Sequence, residues 1–231
     1  MTKLEHCAFS TGHLAHPIAD VGGELSLSIY AAPPHLRTAI ALSAMQEGLW
    51  IHVDIMRDPQ GRDRGVDMAT LKELTVSRQH RVDVHLIGDG AAAAFDEVCE
   101  LGCTRITVAL EGCTDILSTA ATARRSGAQF WMAIAPPTAV EDFLPMVPVV
   151  DGVLLMLLAP GTQDPADLSL LSKAQALSHL LPVGVDGSVG AANVNACLEA
   201  GARYIVSGRG LLQPNQRFLK TLTPLQSKGK P

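Results

Sequence analysis

The chain has 231 residues, 18 Lys and Arg against 23 Asp and Glu, a formal net charge of −5, and 47% hydrophobic, 18% charged and 4% aromatic residues. That length suits one domain of about the size of a (β/α)8 barrel. The acidic balance without a basic patch argues against a nucleic-acid partner, and the lack of any run of roughly 18 uncharged apolar residues argues against a membrane span.

Residues 1–23 carry His6, His13, His16 and Asp20 and no apolar signal core, so they read as a loosely held N-terminal arm of a chain that is not secreted. Eight strand-then-helix units follow. The strands are expected over 24–30, 50–56, 81–87, 105–111, 129–135, 152–158, 182–186 and 204–207. The helices between and after them are expected over 35–47, 66–78, 91–101, 114–126, 139–146, 168–180, 191–200 and 211–221. Gly48, Gly102, Gly127 and Gly201 supply the usual helix stops. Strict alternation of strand and helix implies parallel strands with right-handed crossovers, and eight units favour a closed TIM (β/α)8 barrel over an open sheet. The expected organisation is therefore a single domain over 1–231, with the barrel over 24–221 and a frayed tail over 222–231. The low aromatic content predicts an aliphatic core, as suits strands buried on both faces. Five cysteines in no paired spacing (Cys7, Cys99, Cys103, Cys113, Cys197) point to a reducing cytoplasmic setting, with Cys99 and Cys103 as buried thiols rather than metal ligands.

Two loops, 57–65 and 159–167, are crowded with charge or with Pro, Gly and Asp, and both follow strands, on the rim where barrel active sites are built. Alternation decides what faces inward. In WIHVDIM, Ile51, Val53 and Ile55 share the face that meets the helices, while His52, Asp54 and Met56 share the other. In the next strand Arg81, Asp83 and His85 face in, and Asp186 ends the seventh strand at the rim. Two His and two Asp thus converge on the mouth: His52, Asp54, His85 and Asp186. Any one of them reads more simply as a core histidine or a helix cap. Burying all four without a metal or mutual pairing would cost several kcal/mol, and imidazole with carboxylate suits a divalent metal such as zinc, manganese or iron. The glycine-rich turns 187–190 and 208–210, each opening a helix, are suited to a phosphate, with Arg209 adding a charged contact.

The blocks HVDIM (52–56), VDVHL (82–86), ITVALE (106–111), PPT (136–138), VLLMLLAPG (153–161), GVDGSV (184–189) and AGARYIVSG (200–208) resemble, in order and spacing, those of ribulose-phosphate 3-epimerases over about 24–212. The resemblance implies that His52, Asp54, His85 and Asp186 bind a divalent metal (zinc, or iron, manganese or cobalt). It also implies that Asp54 and Asp186 are the catalytic acid/base pair, and that Ser28, Met56 and Met156 contact substrate. The substrate would then be a small-molecule sugar phosphate, gripped at Gly187, Ser188, Gly208 and Arg209 by a cytoplasmic homo-oligomer. The chain departs from the family pattern at Arg57 (acidic in the family), Ala109 (histidine), Ile87 (methionine), Ser188 (glycine) and the loop Gly161-Thr162-Gln163-Asp164-Pro165. The departures leave the metal and proton-transfer residues whole and change the parts that would grip the sugar chain. An epimerase of a different ketose, either a hexulose phosphate or an unphosphorylated sugar, and a non-catalytic sugar-phosphate-binding barrel, are the alternatives. Gly88-Asp89-Gly90 mimics a dinucleotide fingerprint, but the strand before it carries Asp83 and His85. A decarboxylase of the orotidine type would need lysine at Met56.

Overall fold

Period-two alternation sorts the strand residues onto the two sides of one closed sheet. In the computed structural model, which describes residues 9–58, 62–76, 81–88, 92–159 and 161–212, the strands are β1 (Glu24–Ser28), β2 (Trp50–Met56), β3 (Val82–Ile87), β4 (Arg105–Ala109), β5 (Gln129–Ile134), β6 (Gly152–Met156), β7 (Val183–Asp186) and β8 (Tyr204–Ser207). Each pairs in parallel with the next, and β8 returns to β1, so the barrel closes in chain order. Helix α1 (Gly12–Asp20) precedes β1. After β1 to β7 come α2 (Arg37–Gln46), α3 (Met68–Thr75), α4 (Phe95–Glu100), α5 (Ile116–Arg125), α6 (Val140–Phe143), α7 (Leu171–Leu177) and α8 (Val194–Glu199). The helix expected over 211–221 and the tail over 222–231 lie outside the described residues from 213 onward, as do Cys7, 59–61 of the first rim loop and the Asp89-Gly90 step.

The elements are shorter than the sequence suggests, for local reasons. β1 stops at Ser28 because Ile29–Ala31 turn into a 3-10 helix, and β4 stops at Ala109 because Leu110–Gly112 do the same. α3 begins after Asp67, whose carboxylate accepts from the Thr70 amide at 2.8 Å. α5 begins after Asp115, which accepts from the Ser118 amide at 3.0 Å. The arm expected to be loosely held is in part packed: α1 lies on β1 and α8 and buries Leu14 and Ile18, and the Ser10 amide donates to the Leu211 carbonyl at 2.9 Å.

Between sheet and helices the core is aliphatic as expected, with Ile51, Val53, Ile55, Val84, Ile106, Val153 and Val185 fully buried. The barrel interior is not. Its N-terminal half is filled by Trp50, Trp131 and Tyr204 packed around the buried guanidinium of Arg105, whose Cζ lies 4.3, 3.8 and 4.2 Å from their ring centroids. Arg105 Nε donates to Gln129 Oε1 at 3.1 Å, and its Nη2 is 3.7 Å from Glu24 Oε2. Glycines on β6 and β7 make room for these rings. A Cβ on Gly152 would fall 2.3 Å from Trp131 Cε2, and one on Gly184 would fall 2.9 Å from Tyr204 Cδ1. The interior is a filled plug below and an open mouth above.

Because the three atoms nearest a Cβ at Gly152 all belong to the rigid Trp131 indole, Gly152→Val should overpack the plug and cost about 1–3 kcal/mol, read as a lower urea midpoint. An unchanged midpoint would mean the plug is loosely packed.

Candidate metal centre

Strand register decides which polar groups meet. β2 and β3 pair with His52 beside Asp83 and Asp54 beside His85, and the pleat turns all four side chains inward. Acids and imidazoles thus alternate at the bottom of the open mouth. His52 Nδ1 lies 2.8 Å from Asp83 Oδ2, and its Nε2 lies 3.1 Å from Asp54 Oδ1. β7 brings Asp186, with Oδ2 at 3.8 Å from the same Nε2. His85 Nδ1 is 3.5 Å from Asp54 Oδ1, and this buried nitrogen has no hydrogen-bond partner. From β1, Ser28 Oγ donates to Asp54 Oδ2 at 3.0 Å.

The crowding shifts the groups in opposite directions. Burial disfavours a charged His52, but Asp54 and Asp83 on its two ring nitrogens overcome that and hold its pKa well above the ordinary imidazole value. Burial alone would raise Asp54, yet His52 and His85 hold it well below the usual carboxylate range. Asp186 is pushed up to about 6 by burial, the pull of His52 and His85 being countered in part by the negative charges of Asp54 and Asp83. A divalent cation would be the largest local charge here and would favour the ionised carboxylates and neutral imidazoles that ligation needs.

The donor set fits such an ion. His52, Asp54, His85 and Asp186 each offer one ligand atom, and these atoms lie within 4.8 Å of one another. The partnerless His85 Nδ1 points to the same conclusion, since a buried nitrogen without a partner costs free energy that a cation would recover. These residues could hold a metal, and two imidazoles with two carboxylates suit borderline ions.

Above the cluster opens a cavity of about 650 Å³. Ser28, Asp54, Met56, Met156 and Asp186 form its lower wall, and Gly187, Ser188, Gly208 and Arg209 its rim, so all the residues expected to bind metal or contact substrate, other than the two histidines, line it. The rim differs in detail from the expectation. α8 begins only at Val194, and the Gly190 amide donates to Asn193 Oδ1 at 2.8 Å, so this N–H is already engaged. Ser188 takes a left-handed backbone (φ 52°), a conformation that glycine adopts freely and that costs a serine about 1 kcal/mol or more. Its hydroxyl offsets part of that by donating to the Asp164 carbonyl at 2.8 Å and accepting from Arg209 Nη2 at 2.9 Å. From the loop after β6, the wall takes Leu158, Gly161, Thr162 and Gln163. The Asp167 carboxylate is turned to the Ser169 amide instead.

Two further residues tie the loops of this rim together. Arg37 on α2 reaches the cavity wall while its guanidinium donates to the Tyr30 and Gly65 carbonyls at 3.2 and 3.0 Å, tying the loops after β1 and β2 together. Glu111, expected in a strand, accepts from the Ala135 amide and the Thr138 hydroxyl and braces the loop after β5. Asp83 was legible as an inward residue, but its contact with the His52 ring was not.

The sequence model of the family described as "Ribulose-phosphate 3 epimerase family" matches residues 24–212. Relatives named ribulose-phosphate 3-epimerase include that of Mycobacterium bovis, 24% identical over 195 residues (81% of this chain, 85% of the relative). That of Treponema pallidum is 25% identical over 178 residues (74% and 82%). Among solved structures, the tryptophan synthase alpha-subunit of Pyrococcus furiosus superposes with a TM-score of 0.64 at 18% identity, covering 87% of this chain and 95% of that one. That likeness is of fold alone.

The cluster predicts that metal-free protein binds one divalent ion per chain and gains thermal stability from it, by about 2.7 kcal/mol at a free-ion concentration 100 times Kd. Thermal unfolding with added Zn²⁺ or Mn²⁺ should show a raised Tm, and His85→Ala should remove most of the gain. A Tm indifferent to metal would disprove the cluster as a metal site.

Proposed function

The chain belongs to the ribulose-phosphate 3-epimerase family, and from that premise we propose that it is a metal-dependent 3-epimerase of a ketose phosphate, converting ribulose 5-phosphate to xylulose 5-phosphate or acting on a close analogue. The observation that carries this reading is the pair Asp54 and Asp186. They come from β2 and β7, strands separated by β8 and β1 in the ring, and both line the cavity beside the imidazoles.

Epimerisation beside a ketone removes a proton from one face of a carbon and returns one to the other. That requires two carboxyl groups on opposite sides, one ionised and one protonated. Asp54 and Asp186 take these roles in turn, exchanging them when the reaction runs backward. Ser28 fixes the Asp54 carboxylate through its 3.0 Å hydrogen bond. Met56 and Met156 give the reacting carbon a soft apolar wall that keeps competing proton donors away. A divalent cation held by His52, Asp54, His85 and Asp186, with zinc, iron, manganese or cobalt all suited to this donor set, would polarise the ketone and stabilise the charge of the enediolate.

The phosphate end is assigned to the rim of Gly187, Ser188, Gly208 and Arg209. Supporting this, the loop after β6 lines the cavity with Leu158, Gly161, Thr162 and Gln163 among the described residues, and neither Asp164 nor Asp167 is among them. A close carboxylate would repel the phosphate by about 1 kcal/mol or more.

Asp54→Asn and Asp186→Asn should each lower epimerisation by about 10²-fold or more in a coupled assay, since each removes a proton carrier and a ligand together. Either variant retaining a tenth of the activity would refute the two-carboxylate reading. Arg209→Ala should raise KM for the phosphorylated ketose and leave a free ketose unaffected. Equal wild-type efficiency on both sugars would overturn the phosphate assignment.

A further inference from the structure

We propose that Tyr204, fixed in the barrel plug by Arg105, orients His52 through the Asp83 carboxylate and is a positioning residue for the metal cluster. The assignment rests on the metal-dependent reading above and extends it into the barrel interior.

Asp83 is fully buried, and its carboxylate is held from three directions. Oδ2 meets His52 Nδ1 at 2.8 Å and accepts from the Tyr204 hydroxyl at 2.9 Å, while Oδ1 accepts from Thr107 Oγ1 at 3.0 Å. An ionised carboxylate only accepts, so this contact places a proton on Nδ1 of His52. Nε2 is then the nitrogen available to a cation, and it is the one turned toward Asp54 and Asp186, at 3.1 and 3.8 Å. A partner on the far ring nitrogen sets both the tautomer and the angle of a ligating histidine.

A carboxylate held only by the histidine could rotate about its own bonds. The two hydroxyls come from β4 and β8, on opposite sides of β3 in the ring, and fix its plane. Tyr204 is suited to this because it cannot move. Its ring meets Trp50 and Trp131 edge-on, with centroids at 5.6 and 5.7 Å, and the Arg105 Cζ sits 4.2 Å from its own centroid. On the β7 side the ring lies against Gly184, where a side-chain Cβ would be 2.9 Å from Tyr204 Cδ1. The plug thus carries one polar atom upward, the Tyr204 hydroxyl, and delivers it to the group that grips His52.

If the plug were only core filling, Tyr204→Phe would keep the ring and its packing and leave metal binding alone. Under the positioning role, Tyr204→Phe should weaken Zn²⁺ binding to metal-free protein about 10- to 100-fold, measured by competition with a chromophoric chelator. The metal-free variant should still unfold in one cooperative urea transition, its midpoint lowered by the lost hydrogen bond to the buried carboxylate. Thr107→Val removes the other hydroxyl at constant shape and should weaken Zn²⁺ binding in the same direction, which keeps the test available if Tyr204→Phe fails to fold. Wild-type affinity in both variants overturns the positioning role alone. A wild-type protein that takes up no Zn²⁺ overturns the positioning role and the metal-dependent reading together.

Discussion

The site depends on the register in which β2 pairs with β3. Six aligned pairs, from Ile51 beside Val82 to Met56 beside Ile87, make this the longest ladder in the barrel. A slip of one residue would turn His52 and Asp54 toward the helices and put Ile51, Val53 and Ile55 inside. The aliphatic layer outside the sheet forbids that, because each of those three residues is fully buried against the helices. Hydrophobic burial, which has no chemical role of its own, thereby fixes where the acids and imidazoles stand.

The same division runs along the barrel axis. Below, large rings from β2, β5 and β8 close on Arg105, and glycines on β6 and β7 leave them space. Above, the polar residues of β1, β2, β3 and β7 face an open cavity. Buried ionised groups are costly unless paired, and here most are linked: Glu24 faces Arg105, and Tyr204 links the plug to Asp83, which holds His52. A rigid floor of this kind holds the ligand atoms in place, as the proposed transfer of protons between two carboxyl groups and opposite faces of one substrate carbon would require.

Much of this was written along the chain. Strand alternation identified all eight strands and placed His52, Asp54, His85 and Asp186 at one mouth, because inward and outward residues differ in polarity within each strand. Element ends were harder, since they turn on single side chains such as Asp67 and Asp115 capping helices, and on strands ending in 3-10 turns. The plug was invisible for another reason. Trp50, Arg105, Trp131 and Tyr204 come from four strands, and no periodicity within one strand says which side chains share a layer. Gly190 shows the same limit: its place in a glycine-rich turn suggested a free amide, and only the fold reveals that Asn193 takes it. The packed α1 hid behind a histidine-rich stretch whose two buried residues, Leu14 and Ile18, are too few to announce a helix.

Under the proposed function, two carboxylates from separate strands take a proton from one face of a ketose carbon and return one to the other. The most direct measurement is deuterium incorporation from D2O during incubation of the metal-loaded protein with ribulose 5-phosphate. The account predicts solvent deuterium at the carbon beside the ketone, C3, in product and in recovered substrate, with no incorporation at other carbons. Metal-loaded protein that binds the sugar phosphate and leaves C3 fully protonated would contradict it.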